Sequence, residues 1–160
     1  MSIGGAMKVS ENKRDGTYDN EVDLVEIVSG GLLNKLSSPF DEVEAVRKGF
    51  PVNRIKRLES IMRWDRKAFA KFIRTTPKTL ERYARDNKHL SPQVSENTLD
   101  VARLMNLGIA YFESVERWNL WLNTPHVQFN NSAPVSVLES ASGRALIKRI
   151  VLGLEYGFVA

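Results

Sequence analysis

The stretch KAFAKFIRTTPKTLERYARDNKHLS, Lys67 to Ser91, decides how this chain folds. Ala68, Phe69, Phe72 and Ile73 recur at helical spacing and form one apolar stripe, and Asp65 stands where a helix N-cap is needed. The following Arg74-Thr75-Thr76 is too short to be a linker. Thr76 is a second N-cap, and Pro77 suits the first helical position because the N–H it lacks would find no partner there anyway. A new helix therefore starts at once, with Leu80, Tyr83 and Ala84 facing inward. Two helices separated by so short a turn cross steeply, so the second turns its outer face away from the body. That face carries Lys78, Thr79, Arg82 and Arg85.

The flanking residues extend the pattern. After Pro51, Ile55, Leu58, Ile61 and Met62 recur with a helical period while Arg54, Lys56, Arg57 and Arg63 fall elsewhere, so three short helices in tight succession make a helix-turn-helix. Charge is segregated in the same way. Residues 47–89 hold 14 basic and 4 acidic side chains, against 4 and 9 in residues 1–46 and 5 and 6 in residues 90–160. A central block this basic is the footprint of a polyanion-binding module. Lys78, Arg82 and Arg85 line one side of a helix of the right diameter for a major groove, with Lys78 and Thr79 nearest base edges. Lys71, Arg74 and Lys88 suit phosphates. A solvated basic face is the competing reading, above all for Arg54, Arg63, Arg66 and Arg74. Arg74 also stands where such turns often carry glycine.

Elsewhere the periodicity is helical or absent. Residues 1–20, rich in Gly, Ser, Asn and charge, read as disordered. Val22 to Leu36 is ambiguous and broken by Ser29-Gly30-Gly31, and Asp41 to Arg47 reads as a short helix ended by Gly49. Beyond Pro92, Leu99, Ala102, Leu104, Met105, Ile109, Ala110 and Phe112 describe a long helix buried on several sides. Trp118, Trp121 and Leu122 read as core, Thr124-Pro125 stops their helix, and Pro134 opens a helical turn. Ser142 is expected to cap a final helix presenting Leu146, Ile147, Ile150, Val151 and Leu154, more apolar surface than one stripe requires. The expected fold is all-α, a helix-turn-helix DNA-binding part over 21–92 followed by a small helical domain over 93–160.

Several functions lack their residues. The 160-residue chain has no cysteine and two histidines, which excludes disulfides and thiol catalysis and leaves no metal site to expect. No apolar run reaches the roughly 18 residues of a membrane span, and the first residues lack the apolar centre of a secretory signal, so a cytoplasmic location without membrane contact is expected. No phosphate loop, paired-carboxylate cluster or nucleophile elbow appears, so no catalytic residue and no cofactor are expected.

Five stretches then point to a family. GFPVNRIKRL (49–58), TLERY (79–83), HLSPQVSENTLDVARL (89–104), RWNLWLNTPHVQFNNSAPVSVLES (117–140) and GRALIKRIVLGLEYGFVA (143–160) resemble successive signatures of Xre/MbcA/ParS-type antitoxins. The most specific part is Trp121-Leu122, Thr124-Pro125, Pro134, Leu138, Gly143 and the helix ending Glu155-Tyr156-Gly157. The resemblance implies an Xre-like DNA-binding part and a C-terminal toxin-binding domain over 93–160. It further implies a cognate RES-type or related toxin that consumes NAD or transfers ADP-ribose from it, and a non-enzymatic antitoxin that blocks the toxin's NAD pocket and represses its own operon. Gly157 is placed to end the last helix in a left-handed turn, leaving Phe158, Val159 and Ala160 as an apolar tail or folded back onto Leu154. The resemblance puts Glu155, Tyr156, Gly157, Phe158, Val159 and Ala160 over the toxin cleft, with Phe158 as anchor and Arg144 and Arg149 as charge partners. The implied partners are the toxin, operator DNA bound as a homodimer on a two-part site, and a higher toxin–antitoxin complex. The alternative is a stand-alone helix-turn-helix regulator whose C-terminal part only dimerises.

Overall fold

Short polar side chains decide where the helices begin. In the computed structural model, which describes residues 22–157, the α-helices run α1 Leu24–Val28, α2 Pro39–Lys48, α3 Ile55–Met62, α4 Arg66–Phe72, α5 Pro77–Arg85, α6 Pro92–Phe112, α7 Val115–Leu122 and α8 Ala141–Glu155. All but α3 start at an Asp, Ser or Thr whose side chain accepts a backbone N–H of the first turn: Asp23, Ser38, Asp65, Thr76, Ser91, Ser114 and Ser140. At Ser38-Pro39, Thr76-Pro77 and Ser91-Pro92 the cap is followed by proline in the first turn. α3 instead grows out of a 3-10 turn, Val52–Arg54. At α2 the cap is reciprocal, since Asp41 also accepts the Ser38 backbone N–H at 2.7 Å, and this bond and the one from the Ser38 hydroxyl hold the Asp41 carboxyl below its ordinary value. The fold is all-α: among the described residues the only β pairing is two isolated bridges, Pro51 with His89 and His126 with Ser132.

The helix ends are as local as the starts. Four helices close with the same pair of bonds, in which the residue in the left-handed region is Gly30, Arg63, Arg74 or Asn87. In the α4–α5 turn, Arg74 N–H donates to the Lys71 carbonyl at 3.1 Å and Thr75 N–H to the Ala70 carbonyl at 2.9 Å, with Arg74 at φ 64°. The position expected to favour glycine does adopt the conformation that favours it.

α6 is the hub. Its 21 residues carry Thr98, Leu99, Val101, Ala102, Leu104 and Met105 into the core, and it packs against α1 and α2 as well as α7 and α8. Leu24 N–H and the Asp23 side chain are both held by the Asn106 amide at 3.0 Å, and Phe50 N–H by Ser95 Oγ at 2.9 Å. Trp118, fully buried, donates through Nε1 to Met105 Sδ at 3.0 Å and lies flat against Gly108. A division near residue 92 falls in the first turn of this hub, and a single hydrophobic core continues across it.

Two local expectations are corrected. Ala84 is exposed, because α5 sits at the edge of the body, touching α4 and the 52–54 turn, and only Leu80 along it is fully buried. The last helix is capped by Ser140, which accepts Gly143 N–H at 2.9 Å, while Ser142 lies exposed within the first turn. Ser140 wins because its backbone is extended there, as an N-cap requires. No described helix is long and apolar enough to cross a membrane. The expected disorder of residues 1–20 concerns a segment outside the described residues.

A Cβ at position 108 would lie 2.1 Å from a Trp118 ring atom that has no room to retreat. Gly108→Ala is expected to lower unfolding free energy by about 1–3 kcal/mol through overpacking, despite a helix-propensity gain of about 1 kcal/mol. Arg74→Gly relieves a left-handed strain of about 1–2 kcal/mol and should leave stability unchanged or higher. Urea unfolding of both variants checks the contrast.

Candidate functional site

The basic face is built by α4, its turn and α5. Lys78, Arg82 and Arg85 are exposed along α5, and Arg74 projects from the turn. Lys78 and Arg74 have no ion-pair partner among the described residues. The others are already in contact: Arg82 lies 5.5 Å from the centre of the Tyr83 ring, Lys88 5.7 Å from it, and Arg85 3.8 Å from Asp86. Thr79 is half-buried in the cap, its N–H and hydroxyl both bonded to the Thr76 hydroxyl, at 3.1 and 3.0 Å. Lys71 pairs at 3.6 Å with Glu139, which belongs to the C-terminal part of the chain.

That last contact belongs to a seam that sequence reasoning missed. Arg144 on α8 is 4% exposed and donates through Nε to Asp100 Oδ2 at 2.5 Å, through Nη1 to the Leu138 carbonyl at 3.1 Å, and through Nη2 to Asn97 Oδ1 at 3.3 Å. The Asn97 amide then donates to the Ile73 carbonyl at 3.1 Å, next to the turn residue Arg74. A second seam joins α3 to α7: Trp64 Nε1 donates to Asn119 Oδ1 at 3.0 Å, Asn119 Nδ2 to the Met62 carbonyl at 2.9 Å, and Arg63 pairs with Glu116 at 3.6 Å. Asn97, a polar position on the otherwise apolar faces of a long helix, is the signal that could have revealed the first seam, as Asn106 is for the contact with α1.

The C-terminal surface is the outer side of α8. Ala145, Lys148, Arg149, Leu152, Gly153 and Tyr156 line a shallow, mostly apolar depression there. Arg149, Glu155, Tyr156 and Gly157 are exposed, and Gly157, at φ 76°, ends the helix in the expected left-handed turn. Arg144, expected beside them, is a correction: it points into the protein, where Asp100, Asn97 and the Leu138 carbonyl occupy its guanidinium. Phe158, Val159 and Ala160 lie outside the described residues. The tryptophans read as core include one core residue and one lid: Trp118 is fully buried, whereas Trp121 is half-buried and stacks between Trp118 and His126 at 5.5 and 5.0 Å.

The chain thus combines one core with a cationic helix face on α5 and a separate, mostly apolar depression on α8. Residues 107–157, from the middle of α6 to the end of α8, match the antitoxin Xre/MbcA/ParS C-terminal toxin-binding domain. The chain is also 23% identical over 133 residues to the Prs ADP-ribosylating antitoxin of Sphingobium sp. (strain YBL2), covering 78% of this chain and 84% of that one. The C-terminal part of the chain is thus similar to that of Xre/MbcA/ParS-type antitoxins.

The Arg144 seam sets a measurable stability. Arg144→Ala leaves the Leu138 carbonyl and Asn97 Oδ1 without a donor while the freed Asp100 carboxylate is half exposed, so the loss is expected to be about 1–3 kcal/mol, and Asn97→Ala, which unpairs the Ile73 carbonyl, should cost a similar amount. Chemical denaturation of the two variants measures both.

Proposed function

We propose that this protein is an antitoxin of that type and neutralises a cognate RES-type or related ADP-ribosylating toxin by covering its NAD cleft with the outer face and end of α8. We further infer that it represses its own operon by binding operator DNA through α5, as a homodimer and within a larger toxin–antitoxin complex. The observation that carries the first half is the placement of the toxin-binding match. It ends at Gly157, where α8 leaves Arg149, Glu155 and Tyr156 exposed beside an apolar depression. A cleft that binds the pyrophosphate of NAD is rich in cations and N–H donors, so an acidic helix end such as Glu155 suits it. Tyr156 adds a large amphipathic contact, and Phe158, Val159 and Ala160, next in the sequence, would add apolar groups to it. The ADP-ribosylating activity in the name of the Sphingobium relative supports this class of toxin.

The DNA half is supported by shape and charge. α5 lies at the edge of the body with Lys78, Arg82 and Arg85 along its exposed side, and Arg74 and Lys71 flank it where phosphates would pass. Arg144 serves neither surface directly and acts as a positioning residue for both.

Purified toxin, assayed for NAD consumption, tests the first half. Tyr156→Ala with Arg149→Glu, and separately deletion of Phe158 to Ala160, should sharply weaken inhibition while leaving the melting temperature nearly unchanged. Full inhibition by these variants would move the toxin contact elsewhere. For operator binding, Lys78→Ala or Arg82→Ala is expected to cost about 1–3 kcal/mol and relax sequence preference, whereas Arg74→Ala should mainly reduce the salt slope by about 1. Toxin co-purification with Arg82→Glu should persist, because the two surfaces share no residue.

A further inference from the structure

Residues 47–89 hold 14 basic side chains, and six of them, Lys71, Arg74, Lys78, Arg82, Arg85 and Lys88, belong to the face built on α4, its turn and α5. Of the eight that precede Lys71, three are paired with carboxylates: Arg47 with Glu44 at 3.2 Å, Arg63 with Glu116 at 3.6 Å and Arg66 with Glu59 at 2.5 Å. Two of the others stand side by side on α3. This helix buries Ile55, Leu58 and Met62 and turns Lys56, Arg57 and Ser60 to solvent, and Asn53, exposed in the preceding 3-10 turn, lies one turn before them. None of these four polar side chains has a hydrogen-bond or ion-pair partner among the described residues. The one carboxylate on α3, Glu59, does not offset them. Both of its oxygens take N–H groups of Arg66, at 2.5 and 3.1 Å, and its side chain is 11% exposed. The helix is fixed at its end by Asn119, which donates to the Met62 carbonyl at 2.9 Å.

We propose that the outer face of α3 is a second binding surface for nucleic-acid phosphates, made by Asn53, Lys56, Arg57 and Ser60 and sharing no residue with the α5 face. Length and chemistry select the ligand. From Asn53 to Ser60 the chain rises about 10 Å, the axial spacing of about three phosphates on one strand of a duplex. Two cations between two neutral donors can meet successive phosphates along that length by charge and by hydrogen bonds. A folded protein partner would need an aromatic or aliphatic anchor, and this face carries none. Phosphate contacts of this kind add affinity and salt dependence without reading sequence. Arg54, exposed in the 52–54 turn that also touches α5, forms a basic edge between the two faces. The surface goes beyond the α5 reading and does not depend on it, because it would hold a duplex of any sequence.

Fluorescence anisotropy of the full chain on labelled random-sequence duplex DNA, followed over a salt series, tests the surface. Lys56→Gln with Arg57→Gln is expected to lower affinity at low salt about tenfold and to reduce the slope of log affinity against log salt by about 2. Circular dichroism and melting should not change, because both side chains already face solvent. Arg117→Gln with Lys148→Gln, which removes two exposed charges from α7 and α8, should leave the slope as it is, so the effect belongs to the face and not to net charge. Shortening the duplex to roughly one helical turn of 10 base pairs locates the phosphates. If the α3 variant then binds like the parent, α3 holds the flank of the duplex seated on α5; if the difference persists and the immobilised complex retains a second labelled duplex, α3 holds separate DNA. A chain that does not bind the random duplex at low salt, a slope unchanged in the α3 variant, or one lowered equally by the α7–α8 variant overturns the proposal. So does a loss of toxin inhibition in the α3 variant with DNA affinity intact, which would make the face a contact for an acidic protein. Arg82→Ala should alter sequence preference whereas the α3 pair weakens all sequences alike, so the two nucleic-acid readings fail separately.

Discussion

A guanidinium with 4% of its surface exposed must find protein partners for its N–H groups, and Arg144 finds them on segments far apart in the chain. Asp100 and Asn97 come from α6, the Leu138 carbonyl from the turn before α8, and Asn97 passes the connection on to the Ile73 carbonyl at the end of α4. The Asp100 side chain remains about half exposed, so the pair does not carry the full desolvation penalty of two buried ions. A lysine could not replace this arginine: three partners in fixed directions suit a planar fork, and a point charge on a flexible stem would leave at least one of them unmet. No buried side-chain polar atom among the described residues is left without a hydrogen-bond partner, which is the condition for such a network to stabilise rather than strain.

The position of this network bears on how the two candidate surfaces are supported. α8 carries the candidate toxin contacts and the α4–α5 turn carries candidate DNA contacts, yet Arg144 and Asn97 tie one to the other inside a continuous core. The ion pair between Lys71 and Glu139 repeats the connection at the surface, where a basic side chain next to the α4–α5 turn is held by an acid from the segment before α8. Trp64, Asn119 and the Met62 carbonyl make a further join between α3 and α7. The surfaces are distinct in their residues and joined in their support.

α6 makes this arrangement possible because it is long and apolar enough to be packed on several sides. Where its faces carry Ser95, Asn97 and Asn106, each polar group meets a backbone or side-chain partner from another element, so the helix orders the chain around it by hydrogen bonds as well as by burial. Gly108 lets Trp118 approach the helix backbone, and Trp118 in turn anchors the aromatic series formed by Phe112, Trp121, His126 and Phe129.

What the sequence by itself determined are features closed within about four residues. Asp65, Thr76-Pro77 and Ser91-Pro92 mark helix starts because a cap needs only the first turn's N–H groups, and Gly157 and Arg74 sit in left-handed turns that each helix end requires locally. The basic character of α5 was equally legible, since charge and helical period lie in the same nine residues. Tertiary structure alone decided which side chains the network uses. Arg144 reads in sequence like any helix-surface cation near a candidate contact, and only the approach of Asn97 and Asp100, 47 and 44 residues away, turns it inward. The same holds for Ala84, whose helical spacing from Leu80 suggests burial but whose helix end runs past the body's edge. A hydrogen bond within one turn is specified by the residues that make it, whereas a contact across the core depends on how all the intervening helices pack.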